Sequence, residues 1–366
     1  MARSAVAIAV LAGAVAAAAV LPAEAKSIAY VFSRFTHAAA DTDVTVDCPQ
    51  GLNLGQKEVY LNQLPAAERA RLLAKENKNE FFQIIFNSTT NGPPYPKFSR
   101  CTEPTQFPDP GLLTVKGPVA LGMDLDGGDT SDAAVPGTCR HANFAGPDGA
   151  KGIDNQHWRA VGCIRQYRIE QDVHKNAVSA IRNGEMAMVM EISGFEDLRN
   201  AADVEVGLYS SSDPVATDGA GNLVTGASLD MHPDKRFHNK LKGHIKDGVL
   251  TIDPTDVHLQ LRMGPLDTEW WFRSTHLQVE LKPDSARGML AAYADVETLY
   301  RFTGTAPVDG AVVGGYTCAG IYNAYWRLAD GYKDATTGLC TALSTAWHIE
   351  AVRGYLIHSE QLAEKQ

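Results

Sequence analysis

The spacing of hydrophobic positions changes several times along the chain, and each change marks an element. In residues 65–77, Leu72 and Leu73 form an apolar stripe behind Pro65, which predicts a short helix. Residues 91–118 hold Pro93, Pro94, Pro96, Pro104, Pro108, Pro110 and Pro118, a density that predicts an extended loop. Ile169, Val173, Ala177 and Ile181 recur every fourth residue ahead of Gly184, predicting a helix over 166–184. After that the period becomes two. Segments 186–192, 204–209, 257–263 and 276–281 alternate apolar and polar positions, and 288–299 is a further strand candidate. Lys246-Asp247-Gly248 lies between two β-like runs in 241–252, a hairpin signal. Residues 211–230 are rich in Ser, Asp, Gly and Thr and read as a loop. Segments 319–328 and 344–356 read as amphipathic helices with Tyr322, Tyr325, Trp326, Trp347 and Ile349 as bulky positions. The predicted fold is α+β: an antiparallel, β-sandwich-like core, a helix before it and a C-terminal helical pair.

The first 25 residues read as an address. Arg3 precedes an apolar run over 5–20, Pro22 breaks it, and Ala23-Glu24-Ala25 supplies a small-x-small cleavage pattern. The run is ~16 residues, short of the ~20 that a spanning helix needs. The expectation is a cleaved signal peptide over 1–25, a mature chain from Lys26 that does not span a membrane, and a periplasmic or secreted location. The remainder divides into a mixed helix and Pro-rich segment (26–120), an Asp-rich loop with the β core (121–300) and a C-terminal segment packed on the core (301–366). No flexible linker separates them, so 26–366 reads as one unit.

Charge and cysteines narrow the classes. Lys plus Arg number 33 against 43 Asp plus Glu, a net charge of −10 with no basic block, which excludes a nucleic-acid binder of the usual kind. Cys48, Cys101, Cys139, Cys163, Cys318 and Cys340 form an even set, and export predicts disulfides. Their spacing suggests three local pairs: Cys48–Cys101, Cys139–Cys163 and Cys318–Cys340. No Cys-x-x-Cys occurs, so thioredoxin-like redox chemistry and a zinc ribbon are unsupported.

The densest chemical signal runs from Gly122 to Cys163. It holds Asp124, Asp126, Asp129 and Asp132, followed by Asp148, Asp154 and Asn155. Carboxylates this close repel one another unless a cation or hydrogen-bond donors neutralise them. Calcium accepts many oxygen ligands in irregular geometry and suits such a loop. The match to an EF-hand fails: counted from Asp124, the fifth position is Gly128, the sixth Asp129 and the twelfth Val135. The competing reading is an exposed polar loop whose Asp residues make turns and caps. The run Gly122-x-Asp124-x-Asp126, Pro147-Asp148-Gly149, Gly152-Ile153-Asp154-Asn155-Gln156 and Gly162-Cys163 resembles a group of exported bacterial proteins of unassigned function. The tail from Leu328 to Gly331 and from Thr337 to Cys340 is similar to theirs as well. The resemblance implies no activity.

Two further candidates lie elsewhere. His141 and His157 fall inside the acidic segment and are the weak candidates for acid–base work. Trp270 and Trp271, beside Phe272 and between Glu269 and Arg273, are a candidate platform for sugars or aromatic rings. Adjacent strand residues point to opposite faces, so at most one of these Trp rings faces a given core. No His-Glu-x-x-His, Gly-x-Ser-x-Gly, GxGxxG or Walker A run occurs. The expected function is an exported, calcium-stabilised binding or structural-interaction protein, its partner a polysaccharide, an aromatic ligand or another envelope protein. The alternative is a calcium-dependent hydrolase or lyase acting on a polysaccharide or aromatic polymer.

Overall fold

A computed structural model of the chain describes residues 26–89, 101–128, 138–168, 172–263, 266–305 and 317–358. The expected signal peptide lies outside them, as do Asp129 and Asp132. The strands are β1 (Lys26–His37), β2 (Ala187–Phe195), β3 (Ala201–Ser211), β4 (Ala227–Asp230), β5 (His238–Lys246), β6 (Val249–Ile252), β7 (Thr255–Met263), β8 (Leu266–Leu281), β9 (Ser285–Asp295), β10 (Gly331–Lys333) and β11 (Cys340–Ile357). The helices are α1 (Val44–Asp47), α2 (Gln56–Asn62), α3 (Ala66–Leu73), α4 (Lys78–Thr89), α5 (Gln156–Val161), α6 (Asp172–Arg182), α7 (Val296–Thr305) and α8 (Cys318–Leu328).

Eight strands close into an antiparallel barrel in the order β1-β2-β3-β5-β6-β8-β9-β11, and β1 bonds back to β11. β6 and β7 run one after the other along β8, which accounts for the length of that strand. β4 lies parallel to the end of β11, and β10 pairs with its start. Alternate residues point inward and fill the barrel with side chains: Tyr30, Phe32, Met188, Met190, Val206, Leu208, Leu241, Val279, Leu290 and Ile349 are all buried there. An aromatic cluster completes the filling, with Trp270 stacked on Phe272 at 5.4 Å and Trp347 stacked on Phe35 at 5.0 Å.

The outer wall is partly clothed. Val215 from the loop after β3 and Leu229 from β4, a strand within the segment expected to be all loop, cover Ala29, Val31, Ala187 and Val189. Leu121, Met123 and Leu125 cover Ala291, Tyr293, Ala342 and Ala346 on β9 and β11. The second cover carries the acidic segment.

Three expectations are corrected. The core is a closed barrel and not a sandwich, because β1 supplies the strand that joins β2 to β11; a sandwich leaves such edges open. The C-terminal helical pair is one helix and one strand. α8 forms as expected, but residues 344–356 lie in β11, between β1 and β9. Ser344, Ala346 and Ile349 there are buried against their neighbours, so sheet packing overrides the amphipathic reading. The three local cysteine pairs are also replaced. The bonds are Cys48–Cys163, Cys101–Cys318 and Cys139–Cys340, at sequence separations of 115, 217 and 201. They join segments that the barrel brings together, so proximity in sequence carried no information about them.

Candidate functional site

Alternation places the acidic side chains. In the segment over β9 and β11, Leu121, Met123 and Leu125 face the barrel, so Asp124 and Asp126 face away. Asp154 arrives from a second segment, where its backbone N–H donates to the Met123 carbonyl at 2.9 Å. Phe144 and Ile153 exchange two backbone hydrogen bonds beside it, at 2.8 and 3.0 Å. The outcome is a cluster in which carboxylate oxygens of Asp124, Asp126 and Asp154 all lie within 4.8 Å of one another, the acidic triad of this kind among the described residues.

Local hydrogen bonds hold the three carboxylates in place. Gly127 N–H donates to Asp124 Oδ1 at 2.7 Å and Gly128 N–H to Asp126 Oδ1 at 2.8 Å. Leu125 N–H donates to Asp154 Oδ2 at 2.8 Å, and Asn143 Nδ2 donates to Asp154 Oδ1 at 3.0 Å. The same Asn143 nitrogen reaches the Gly128 carbonyl at 3.1 Å, so it ties the two halves of the loop. Gly152 is required twice over. Its φ is +72°, and a Cβ there would come within 3.1 Å of the Gly128 carbonyl and 3.3 Å of the Asp124 carboxyl carbon.

Burial and like charge act on this cluster. Burial pushes the Asp154 carboxyl up to about 7, and the charges of Asp126 and Asp124 add to the effect. Asp330, just beyond α8, is pushed up to about 8, chiefly by burial, with Asp154 adding to it against the Ser344 hydrogen bonds. Its Oδ1 accepts from Ser344 N–H at 2.7 Å, and Ser344 Oγ accepts from Gln156 N–H at 2.9 Å. Burial is likewise the first cause of the raised Tyr293 hydroxyl, followed by Asp330, Asp154 and Asp126. Three carboxylate-bearing side chains on one small volume are the oxygen donors a hard cation takes.

A cleft of about 670 Å³ opens beside Asp124, between the acidic segment and the wall formed by β8 and β9. Asp148, Lys151, His276 and Gln278 are among its polar lining residues. Burial pulls the His276 imidazole down, and the Asp124 charge opposes that shift.

The remaining sequence candidates divide clearly. Asp148 stands outside the triad in a turn, where its Oδ1 accepts from Ala150 N–H at 3.1 Å. Asn155 caps α5: its Oδ1 accepts from Trp158 N–H at 2.9 Å, and its Nδ2 donates to the Leu121 carbonyl at 2.7 Å. His141 Nε2 sits 3.2 Å from the Ala329 carbonyl. Trp270 is buried inside the barrel, and Trp271 is 48% exposed on its outside. Trp271 stacks on His258 at 5.4 Å, and the Arg273 guanidinium lies 4.9 Å from the Tyr332 ring centre. Glu269, Trp271 and Arg273 therefore share one outward face.

His157 belongs to a buried group that sequence reasoning missed. Where α5 and α6 pack on β1 and β11, the rings of His37 and His174 lie 4.5 Å apart and those of His37 and His157 lie 6.0 Å apart. His37 Nε2 is 2.7 Å from the Tyr167 carbonyl, and His157 Nε2 is 3.3 Å from the Tyr325 hydroxyl. Both nitrogens of His174 are buried and make no well-formed hydrogen bond to a described residue, although the Tyr167 backbone still favours the protonated ring. Burial is the main cause that pulls His157 down to about 3 and His174 down to about 4, and it holds His37 well below 6.5. No local motif marked these residues, because the three come from separate elements.

No protein-family model matches the chain, and neither a curated protein nor a solved structure does.

Proposed function

We propose that the chain is an exported binding or structural-interaction protein whose acidic loop is ordered by one calcium ion. The observation that carries this reading is the convergence of Asp124, Asp126 and Asp154 within 4.8 Å, with Asp154 buried. Burying one carboxylate beside two others is unfavourable unless donors, a proton or a cation compensate it, and one calcium ion compensates all three carboxylates at once. Calcium bound only by the folded chain offsets that repulsion and adds stability. The triad joins the strand-like segment of Asp124 to that of Asp154, so the ion acts as a clip between two parts of the cover. Export is supported by the three disulfides, which persist in oxidising compartments. No helix among the described residues is long and apolar enough to cross a membrane.

The binding element of this reading is the outward face of Trp271, with Arg273 and Tyr332 beside it. A half-exposed Trp ring flanked by an Arg presents a stacking surface to a polysaccharide or aromatic ligand, or to another envelope protein. The cleft at Asp124 favours a second reading. Asp148, Lys151 and His276 line it, and they are the groups a calcium-dependent hydrolase or lyase would use.

The test is thermal unfolding of the mature chain in EDTA and in millimolar calcium, with metal analysis of the untreated protein. About one calcium per chain and a calcium-dependent rise in the midpoint, lost in Asp126→Ala and kept in His238→Ala, support the site. No metal and no shift, or equal effects of the two variants, overturn it.

A further inference from the structure

The opposite wall of the barrel carries a second polar pocket, of about 370 Å³. Its centre is β3, which is four strands from β9 either way round the ring. The register sets three rows on this outer face. They are Val189–Tyr209–His238, Glu191–Gly207–Lys240 and Ser193–Glu205–Lys242.

Gly207 shapes the pocket. A Cβ at this position would lie 2.2 Å from a ring carbon of Tyr209 and 2.4 Å from its hydroxyl. The Tyr209 ring therefore lies across Gly207, which carries its hydroxyl into the row flanked by Glu191 and Lys240. Tyr209 is 6% exposed as a whole, but its hydroxyl is not one of the fully buried unpartnered atoms: it opens to the pocket and makes no hydrogen bond to a described residue. Burial pushes this hydroxyl up, and the Glu191 and Glu205 charges add to the effect. His238 and His358 stand edge-on to the ring at 5.7 and 6.4 Å. His358 also approaches Glu191 at 3.2 Å.

We propose that this pocket binds a small neutral polyol of the monosaccharide class. The lining opposes acceptors (Glu191, Glu205) to donors (Lys240, Tyr209) in one small space. A cationic ligand would meet Lys240, and an anionic one would meet two carboxylates. A hydroxyl donates to one group and accepts from the other at once. The Tyr209 hydroxyl gains a partner, and the Tyr209, His238 and His358 rings that line the pocket supply apolar contact for C–H groups. The volume lies at the lower end of small-molecule sites, roughly 300–1,000 Å³. This proposal does not depend on calcium at the acidic triad.

The experiment is calorimetric titration and saturation-transfer NMR of the whole chain with D-glucose, D-galactose and D-mannose. Putrescine serves as the cationic probe and inorganic phosphate as the anionic one. At least one sugar binds in the millimolar range, in EDTA as in calcium. Tyr209→Phe weakens it roughly three- to tenfold, the loss of one hydrogen bond, and Glu191→Gln weakens it roughly tenfold or more. Should Glu191→Gln misfold, Tyr209→Phe still decides, because it keeps the ring and breaks no hydrogen bond of the free protein. Failure of all three sugars to bind, preference for putrescine or phosphate, or sugar binding kept in full by the folded variants overturns the proposal.

Discussion

Replacing His174 by leucine changes one buried titratable ring and leaves the barrel wall intact. The folded chain holds this imidazole at about 4, against 6.5 for the free side chain, and burial is the first cause, with Arg34 next. A base lowered on folding contributes stability that is intact above pH 6.5 and is lost as the pH falls toward 4. At about pH 5 the unfolded chain has taken up a proton that the folded chain refuses. The difference is about 1.5 pH units at 1.36 kcal/mol each, or about 2 kcal/mol for this one ring. The carboxyls of Asp154 and Asp330 move the other way, since their raised values add stability as the pH falls. Those terms are common to both proteins and cancel in the difference. Leucine is close to histidine in volume and removes two buried nitrogens that make no well-formed hydrogen bond to a described residue. The variant should therefore be no less stable than the parent near pH 7. It should gain on the parent by about 2 kcal/mol between pH 7 and pH 5. Urea unfolding followed by Trp fluorescence at several pH values measures this directly. Parallel pH curves for the two proteins would refute the argument, as would a loss of stability at pH 7 that persists at pH 5.

Other predictions address the triad and the Trp pair. Gly152→Ala puts a side chain on a φ of +72° and against the Gly128 carbonyl, so it should lower stability by about 1–2 kcal/mol and weaken calcium binding; an unchanged unfolding midpoint in EDTA would contradict this. Trp270→Ala opens a cavity in the barrel and should destabilise by about 3–5 kcal/mol. Trp271→Ala, on the outside, should change stability by less than about 1 kcal/mol while reducing binding to polysaccharide or aromatic ligands. Equal unfolding midpoints for the two Trp variants would reverse the assignment of their faces.

Much of the local structure was legible before any tertiary contact was considered. Period two marked β2, β3, β7 and part of β8, because inside and outside alternate along a barrel strand as they do in any half-buried sheet; β5 and β6 came from the hairpin signal, and the 288–299 candidate overlaps β9. The Lys246-Asp247-Gly248 turn joins β5 to β6 with φ of +52° at Asp247 and +82° at Gly248, the backbone that a tight hairpin requires. The Trp pair splits inside and outside, as adjacent strand positions must. In the acidic segment, Asp124 and Asp126 share a face through their spacing alone.

What the tertiary structure decided is everything that depends on which distant segments meet. Closure rests on β1 pairing with β11, and residues 344–356 became a strand once neighbours on both sides satisfied their backbone. The disulfides follow that closure and not the order of the cysteines. Asp154 joins Asp124 and Asp126, and His37, His157 and His174 gather, only because separate elements pack on the same wall. Periodicity is a local property of the chain, set by the geometry of one strand or helix. Edge pairing is a long-range one: closing a longer loop adds little entropy cost, so the sequence distance between partners scarcely restricts which edges join.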